Sequence, residues 1–269
     1  MIDQNSASNS SPGALRLRIA QLVRDSGEGH IPSSFSIVDI IDALYRNVLT
    51  FDKQDPDSAE RDYFILSKGH GAAALYVVLA KNGLLSENEM NLYGKKHGVL
   101  GGHPDVTRVP FIEASTGSLG HGFPTSVGTA LGLRIQNLDN KVFALLGDGE
   151  CHEGTIWEAA NIAANLKLGN LIAIVDWNGS AAQLMPLDDL PAKWRAFGWH
   201  VIEANGHDPD ELDSTFDKLE LQMVGSPTVV ICHTIKGKGV SFVEGHGPWH
   251  HKVPNESEMM QIKTELELL

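Results

Sequence analysis

The chain has 269 residues, 42% hydrophobic and 20% charged, a balance that suits a globular protein able to bury a large core. Its 34 Asp and Glu against 21 Lys and Arg give a formal net charge of -13, which argues against nucleic acid as a partner, because phosphates need a basic face. The two cysteines, Cys151 and Cys232, show neither metal spacing nor a disulfide framework, and the longest apolar run, residues 72–80, is too short to span a bilayer, so a reducing, cytoplasmic setting without membrane attachment is expected.

Residues 1–12 are polar, rich in Ser and Asn, and lack a basic head followed by an apolar core; they read as a flexible tail rather than a secretory signal. Residues 13–269 read as one domain. Residues 13–49 predict a helix, a Gly-containing break and a second helix, followed by an acidic connection over 52–62. A first strand at 63–67 feeds the Gly69-His70-Gly71 turn and an Ala-rich helix to about Lys81. The glycine-rich, irregular stretch 95–122 is long for a compact domain, and such stretches are usually functional. A helix at 124–135, a strand from 141, a helix over 155–168 and a strand at 171–176 follow. Beyond these come a helix near 191–197, a strand at 199–203, a helix at 209–223 and a strand at 228–232. Strands alternating with helices predict an α/β fold, a doubly wound and mainly parallel sheet with helices on both faces.

The most informative segment runs from 147 to 178. An apolar strand ends in Gly147-Asp148-Gly149, where two glycines permit a tight turn and close backbone approach, and Asp148 offers a hard oxygen. The next helix would point its amino-terminal end, with free N–H groups, at the same crevice, a setting that favours an anionic phosphate. The returning strand carries Asn178 out beside Asp148. Magnesium prefers octahedral oxygen ligands shared between one or two protein groups and substrate phosphates, so Asp148, the Asn178 carbonyl and the Ser180 backbone carbonyl form a candidate ligand set. Both Gly-Asp-Gly and Asn178-Gly179 also suit ordinary surface turns; spacing and strand placement favour the cofactor site.

These residues resemble the amino-terminal, diphosphate-binding half of transketolase. The likeness rests on Gly147-Asp148-Gly149-Glu150, Glu153-Gly154, Glu158-Ala159, Leu168-Gly169-Asn170 and Asp176 with Asn178. It is supported by Gly29-His30, Ser67-Lys68-Gly69-His70, Gly101-Gly102-His103-Pro104, Thr116 to Gly122 and Lys193 to Trp199, and it runs from Leu15 to about Lys252. The resemblance implies thiamine diphosphate with Mg2+, or Ca2+ or Mn2+ in its place. It implies cofactor contacts at His70, Gly117, Ser118, Leu119, Gly147, Asp148, Gly149, Glu153, Asn178 and His250, and metal ligation by Asp148, Asn178 and Ser180. His30, His103 and His250 take catalytic positions facing sugar hydroxyls, where imidazole both donates and accepts hydrogen bonds. Lys236 and Lys238 lie in a loop that resembles the family's basic loop, with either diphosphate contact or a solvated turn in view. Cys151 matches a small packing residue, not a nucleophile.

The sequence departs from the family in three places. Ser118 stands where proline is common, the loop after Asn178 is shorter, and the family's second thiamine-binding and carboxyl-terminal domains are not in this sequence. The expected protein is therefore the amino-terminal subunit of a split transketolase, transferring a two-carbon ketol unit from a ketose or ketose phosphate to an aldose through a thiamine diphosphate carbanion. A separate carboxyl-terminal subunit would complete the site. Glu153 and Glu158 match an acidic cluster at the family's dimer interface, which implies self-association and an α2β2 assembly. Two alternatives stay open: a subunit of a 2-oxoacid decarboxylating, acyl-transferring enzyme resembling deoxyxylulose phosphate synthase, and a non-catalytic cofactor-binding regulator.

Overall fold

A computed structural model describes residues 11–269 other than 57, 184, 223, 224, 246 and 248. Most of the expected tail, residues 1–10, lies outside the described residues, as do Met223 and His246. In the described chain, the Ser11 hydroxyl accepts the Ala14 N–H at 3.1 Å and so caps helix α1 (Pro12–Ser26). Pro12 fits the first turn, where no intrahelical N–H is needed, and Gly27 closes the helix in the left-handed conformation. Helix α2 (Ile31–Ala43) follows from His30 and runs into a π turn, Leu44–Val48.

Five strands build the sheet: β1 (Tyr63–Leu66), β2 (Val142–Gly147), β3 (Leu171–Trp177), β4 (His200–Asn205) and β5 (Thr228–His233). Their order is β1-β2-β3-β5-β4, and every neighbouring pair is parallel. The helices between them are α3 (Ala72–Lys81), α4 (Glu87–Asn91), α5 (Gly122–Ile135), α6 (Gly154–Asn165), α7 (Leu190–Ala196) and α8 (Pro209–Gln222), with α9 (Glu256–Leu266) at the end.

The apolar strands serve two cores because successive side chains point to opposite faces. Phe143, Leu145, Ile172, Ile174, Val230 and Cys232 pack with residues of α1, α2, α3, α8 and α9. Their neighbours Val142, Ala144, Leu146, Ala173, Val175, Val229 and Ile231 pack with α5, α6 and α7. The expected helix-covered parallel sheet is present, and all strands are parallel rather than most.

Local differences from the sequence reading have physical reasons. Helix α6 stops at Asn165 rather than 168, because Lys167 adopts φ 54 and the Leu168 N–H turns back to the Ala163 carbonyl at 3.1 Å. The Gly147 and Gly149 positions do not depend on glycine's conformational freedom, since Asp148 sits at φ -57, ψ -43 and a 3-10 turn, Gly149–His152, follows. Helices α4 and α9 are additional to the sequence reading. Each carries a capping box, Ser86 with Glu89 and Asn255 with Glu258, a signal readable in sequence.

Central burial should outweigh terminal capping in stability. Ile174→Ala is expected to lower unfolding free energy by ~2–5 kcal/mol, whereas Asn255→Ala should cost about 1 kcal/mol. Denaturant unfolding of both variants checks this; equal losses would contradict the two-core description.

Candidate active site

The carboxyl ends of β1, β2, β3 and β5 converge, and the chain emerging from each contributes a polar residue. Asp176, fully buried near the end of β3, is the hub. Its side chain pairs with Lys68 beyond β1 and accepts hydrogen bonds from Thr234 beyond β5, from Ser36 of α2 at 2.8 Å and from the Asn178 amide at 2.9 Å. Its backbone carbonyl accepts the Asp148 N–H at 3.1 Å. The strand register that sets Gly147 opposite Asp176 therefore also brings Asp148 beside Asn178.

Asp148 is 3% exposed. One carboxylate oxygen accepts the Gly149 N–H at 2.7 Å, and the other accepts the Ala181 N–H at 3.4 Å. The Asn178 side-chain carbonyl accepts the Ser180 N–H at 3.0 Å, so the loop 178–181 folds back against Asp148. Among the described residues no group of three or more His, Cys, Asp or Glu side chains could hold a metal. A set of one carboxylate, one amide carbonyl and one backbone carbonyl is different in kind, and it offers the hard oxygens that Mg2+ prefers while leaving positions for phosphate oxygens.

Burial, and then the charge of Asp176, push the Asp148 carboxyl above its ordinary range. Glu150 is raised by burial too, although Ser67 Oγ (2.5 Å) and the N–H groups of Gly120 (2.9 Å) and Gly147 (3.3 Å) all donate to it. Glu150 thus ties the 147–149 turn to Ser67 just beyond β1 and to the 116–122 segment. A Cβ built on Gly149 meets nothing within 4 Å, which leaves its backbone open to close approach by a ligand.

The four histidines singled out from sequence come together, with His30 in the middle. Its ring centroid lies 5.5 Å from His70, 6.3 Å from His103 and 5.2 Å from His250. His251 joins them at 4.6 Å. His30 and His70 are half-buried and form the floor, while His103, His250 and His251 are exposed at the rim. Burial, followed by the neighbouring His251 and His250, pushes His30 down to about 4; burial and then Lys68 push His70 down to about 2. Both are neutral at pH 7, so each ring has one donor and one acceptor. Among the described residues, His30 Nδ1 is buried without a hydrogen-bond partner, as is Ser180 Oγ in the loop beside Asp148.

The remaining predicted positions fall around this crevice. Gly117, Ser118 and Leu119 follow Thr116, whose hydroxyl donates to the Leu66 carbonyl at 2.7 Å. A Cβ on Gly117 would stand 3.1 Å from the His103 ring, so glycine lets that segment lie against the histidine. Glu153 and Glu158 are exposed at the start of α6. Lys236 is half-buried, and its ammonium group is lowered by burial and then by Lys68, which sets it among the charged groups of the crevice. Burial drives the Cys151 thiol well above its ordinary value, in keeping with a packing role.

Asp176, Lys68 and Glu150 stand in the sequence only as letters of motifs, with no role attached to them. The signal that could have found the hub is a charged residue ending the otherwise apolar run 171–175.

The family model described as "Transketolase, thiamine diphosphate binding domain" matches residues 8–268. The chain is 38% identical over 256 residues to an apulose-4-phosphate transketolase subunit of Phocaeicola vulgatus, covering 93% of this chain and 90% of that one. It is 39% identical over 246 residues to the 6-deoxy-6-sulfo-D-fructose transketolase subunit SqwG of Clostridium sp., covering 90% and 89%. Against human transketolase it is 38% identical over 261 residues, covering 94% of this chain but 41% of the human protein. The structure of transketolase from Leishmania mexicana superposes with a TM-score of 0.86 at 28% identity, covering 95% of this chain and 40% of that one. This chain belongs to the transketolase family and corresponds to its thiamine diphosphate binding domain.

Proposed function

We propose that the protein is the diphosphate-binding subunit of a two-component transketolase, transferring a two-carbon ketol unit from a ketose or ketose phosphate to an aldose. The observation that carries this reading is the juxtaposition of a five-histidine crevice with the oxygen donors of Asp148 and Asn178 at the carboxyl ends of neighbouring strands. The relatives named as subunits are matched over about nine-tenths of their length, whereas human transketolase is matched over 41%. A separate chain would supply the remainder, and the pair would be active only together. In this reading the exposed Glu153 and Glu158 would face a second copy of the chain in an α2β2 assembly. No helix among the described residues is long and apolar enough to cross a membrane, and both cysteines are free and buried, which agrees with a cytoplasmic site.

Each residue has a definite task in this reading. Asp148, the Asn178 carbonyl and the Ser180 backbone carbonyl hold Mg2+. Gly147, Gly149, His70 and His250 border the diphosphate, Glu153 lies beyond them at the α6 terminus, and Gly117, Ser118 and Leu119 line the thiamine end. Thiamine diphosphate, when bound, supplies the carbanion equivalent and electron sink that carbon–carbon cleavage needs. The chain's own groups orient the sugar and move protons. His30 and His103 face its hydroxyls, and the unpartnered Nδ1 of His30 is available for one of them.

A calorimetric titration with Mg2+ and thiamine diphosphate tests the site. Asp148→Asn should abolish Mg2+-dependent binding while raising the thermal midpoint of the metal-free chain at pH 7, because it removes a buried charge beside Asp176. The sign follows from the raised carboxyl: its ionised form costs stability above the folded-state pKa, and the penalty vanishes below the unfolded value, about pH 4. The gain in midpoint should therefore disappear in acid. Undiminished binding would remove Asp148 from the metal site. His103→Ala should keep cofactor affinity and lower ketol transfer by the reconstituted pair by about 10²-fold or more; unchanged donor kinetics would exclude its substrate role.

A further inference from the structure

A second buried charge cluster lies about one turn along α2 from Ser36, and the proposed reaction does not use it directly. Arg16 of α1 forms a fork with Asp39 of α2, at 2.9 and 2.5 Å, and also donates to the Phe35 carbonyl at 3.0 Å. Arg16 and Asp39 are 1% and 7% exposed. His207, just beyond β4, completes the cluster with Nδ1 at 2.7 Å from Asp39. Burial would raise Asp39, but the hydrogen bonds from His207 and Arg16 hold it below its ordinary value.

The other face of the His207 ring is equally committed: Nε2 accepts the backbone N–H of Ile235 at 2.9 Å. An acceptor Nε2 places the ring proton on Nδ1, where it donates to Asp39. Arg16 also approaches Nδ1 at 3.3 Å, but guanidinium only donates, so in this tautomer that contact is no hydrogen bond. Ile235 immediately precedes Lys236 in a turn that several backbone hydrogen bonds also hold. The Lys238 N–H closes the turn on the Ile235 carbonyl at 3.1 Å, and the Gly237 N–H donates to Pro32, two residues after His30, at 3.0 Å. The Gly245 N–H donates to the Lys236 carbonyl at 2.8 Å. Gly237 adopts φ 78, and a Cβ there would stand 2.4 Å from the Val243 carbonyl oxygen, so the turn has little room to readjust.

We propose that His207 is a positioning residue: its ring connects the buried Arg16–Asp39 pair to the Ile235 backbone and thereby fixes the turn that delivers Lys236 to the histidine crevice. The Lys236 ammonium is among the charges acting on both His30 and His250, which agrees with its delivery there. The connection itself is independent of any ligand. Its use, holding a cation against an anionic cofactor or substrate group, rests on the function proposed above.

Two isosteric substitutions separate the two bonds of the ring. His207→Gln can present its amide oxygen near the position of Nε2 and keep the Ile235 bond, whereas His207→Asn can keep the donor to Asp39 and loses the acceptor. In the full chain, amide hydrogen exchange reads Ile235, and competitive acetylation across a pH series, read by mass spectrometry, gives the titration of Lys236. His207→Asn should speed Ile235 exchange by about tenfold or more and return Lys236 to the titration of an exposed lysine; His207→Gln, which keeps the Ile235 bond but loses the bond to Asp39, should move both in the same direction by less. An unaltered Lys236 in folded His207→Asn would overturn the proposal, as would a His207→Gln protein indistinguishable from wild type, because the Arg16–Asp39 pair would then play no part in holding the turn. Should His207→Asn fail to fold, the wild-type chain decides: slow exchange at Ile235, a residue 40% exposed, supports the bond, and exchange at the rate of unprotected surface amides overturns it. Failure of wild-type protein to bind Mg2+ with thiamine diphosphate would count against the cofactor reading while leaving these outcomes intact.

Discussion

Asp176 is the residue on which the site depends. A carboxylate buried at the end of a parallel strand carries a desolvation penalty that only close partners offset, and here the partners come from four separate parts of the chain. Lys68 brings the end of β1, Ser36 brings α2, Thr234 brings the chain leaving β5, and Asn178 brings the loop after β3. Removing one member of such a pair strands the other charge, a loss of ~3–5 kcal/mol in buried pairs of this kind. The penalty of burying charge is thus also the means by which distant segments are held in register around one crevice.

The same burial sets the chemistry. It keeps His30 and His70 neutral, each with a donor and an acceptor, and holds Asp148 as a reluctant anion beside Asp176. A divalent cation held there, as proposed, would relieve that repulsion and favour the ionised carboxylate, so metal affinity and pKa would be coupled. Polar groups that cost stability collect at the strand ends, while the apolar strand interiors and the tryptophan cluster of the opposite core supply it. Trp194, fully buried, packs its ring against Trp199 at 4.9 Å and Trp157 at 5.3 Å. This division of stability and function is a common one.

Much of this arrangement is legible in the residues. Apolar runs at 141–146 and 171–175 mark central parallel strands, and a Gly-Asp-Gly turn with an Asn thirty positions after its Asp marks the place where they open. The grouping of His30, His70, His103 and His250 follows from resemblance; no local pattern connects residues so far apart. Three things are harder to see. Asp176, Lys68 and Glu150 act through partners distant in sequence, so their meaning appears only when the strands are paired. The block 193–199 carries part of the resemblance, yet its two tryptophans are core residues, Trp194 and Trp199 filling the α5–α7 face, while Arg195, Ala196 and Gly198 are exposed. The five-residue α4 is too short to show an apolar stripe, so its capping box is its main mark, whereas α9 carries both a capping box and a stripe of Met259, Ile262 and Leu266.

The central claim is that this chain holds one half of a two-chain ketol transferase site. Its most direct test is to mix the purified chain with a separately encoded protein resembling the other transketolase domains and to measure ketol transfer with Mg2+ and thiamine diphosphate. Negligible turnover is expected of either chain alone, and turnover by the mixture should titrate to an equimolar ratio. Full activity of this chain by itself, or tight cofactor binding by the pair with no transfer from any ketose, would contradict the claim.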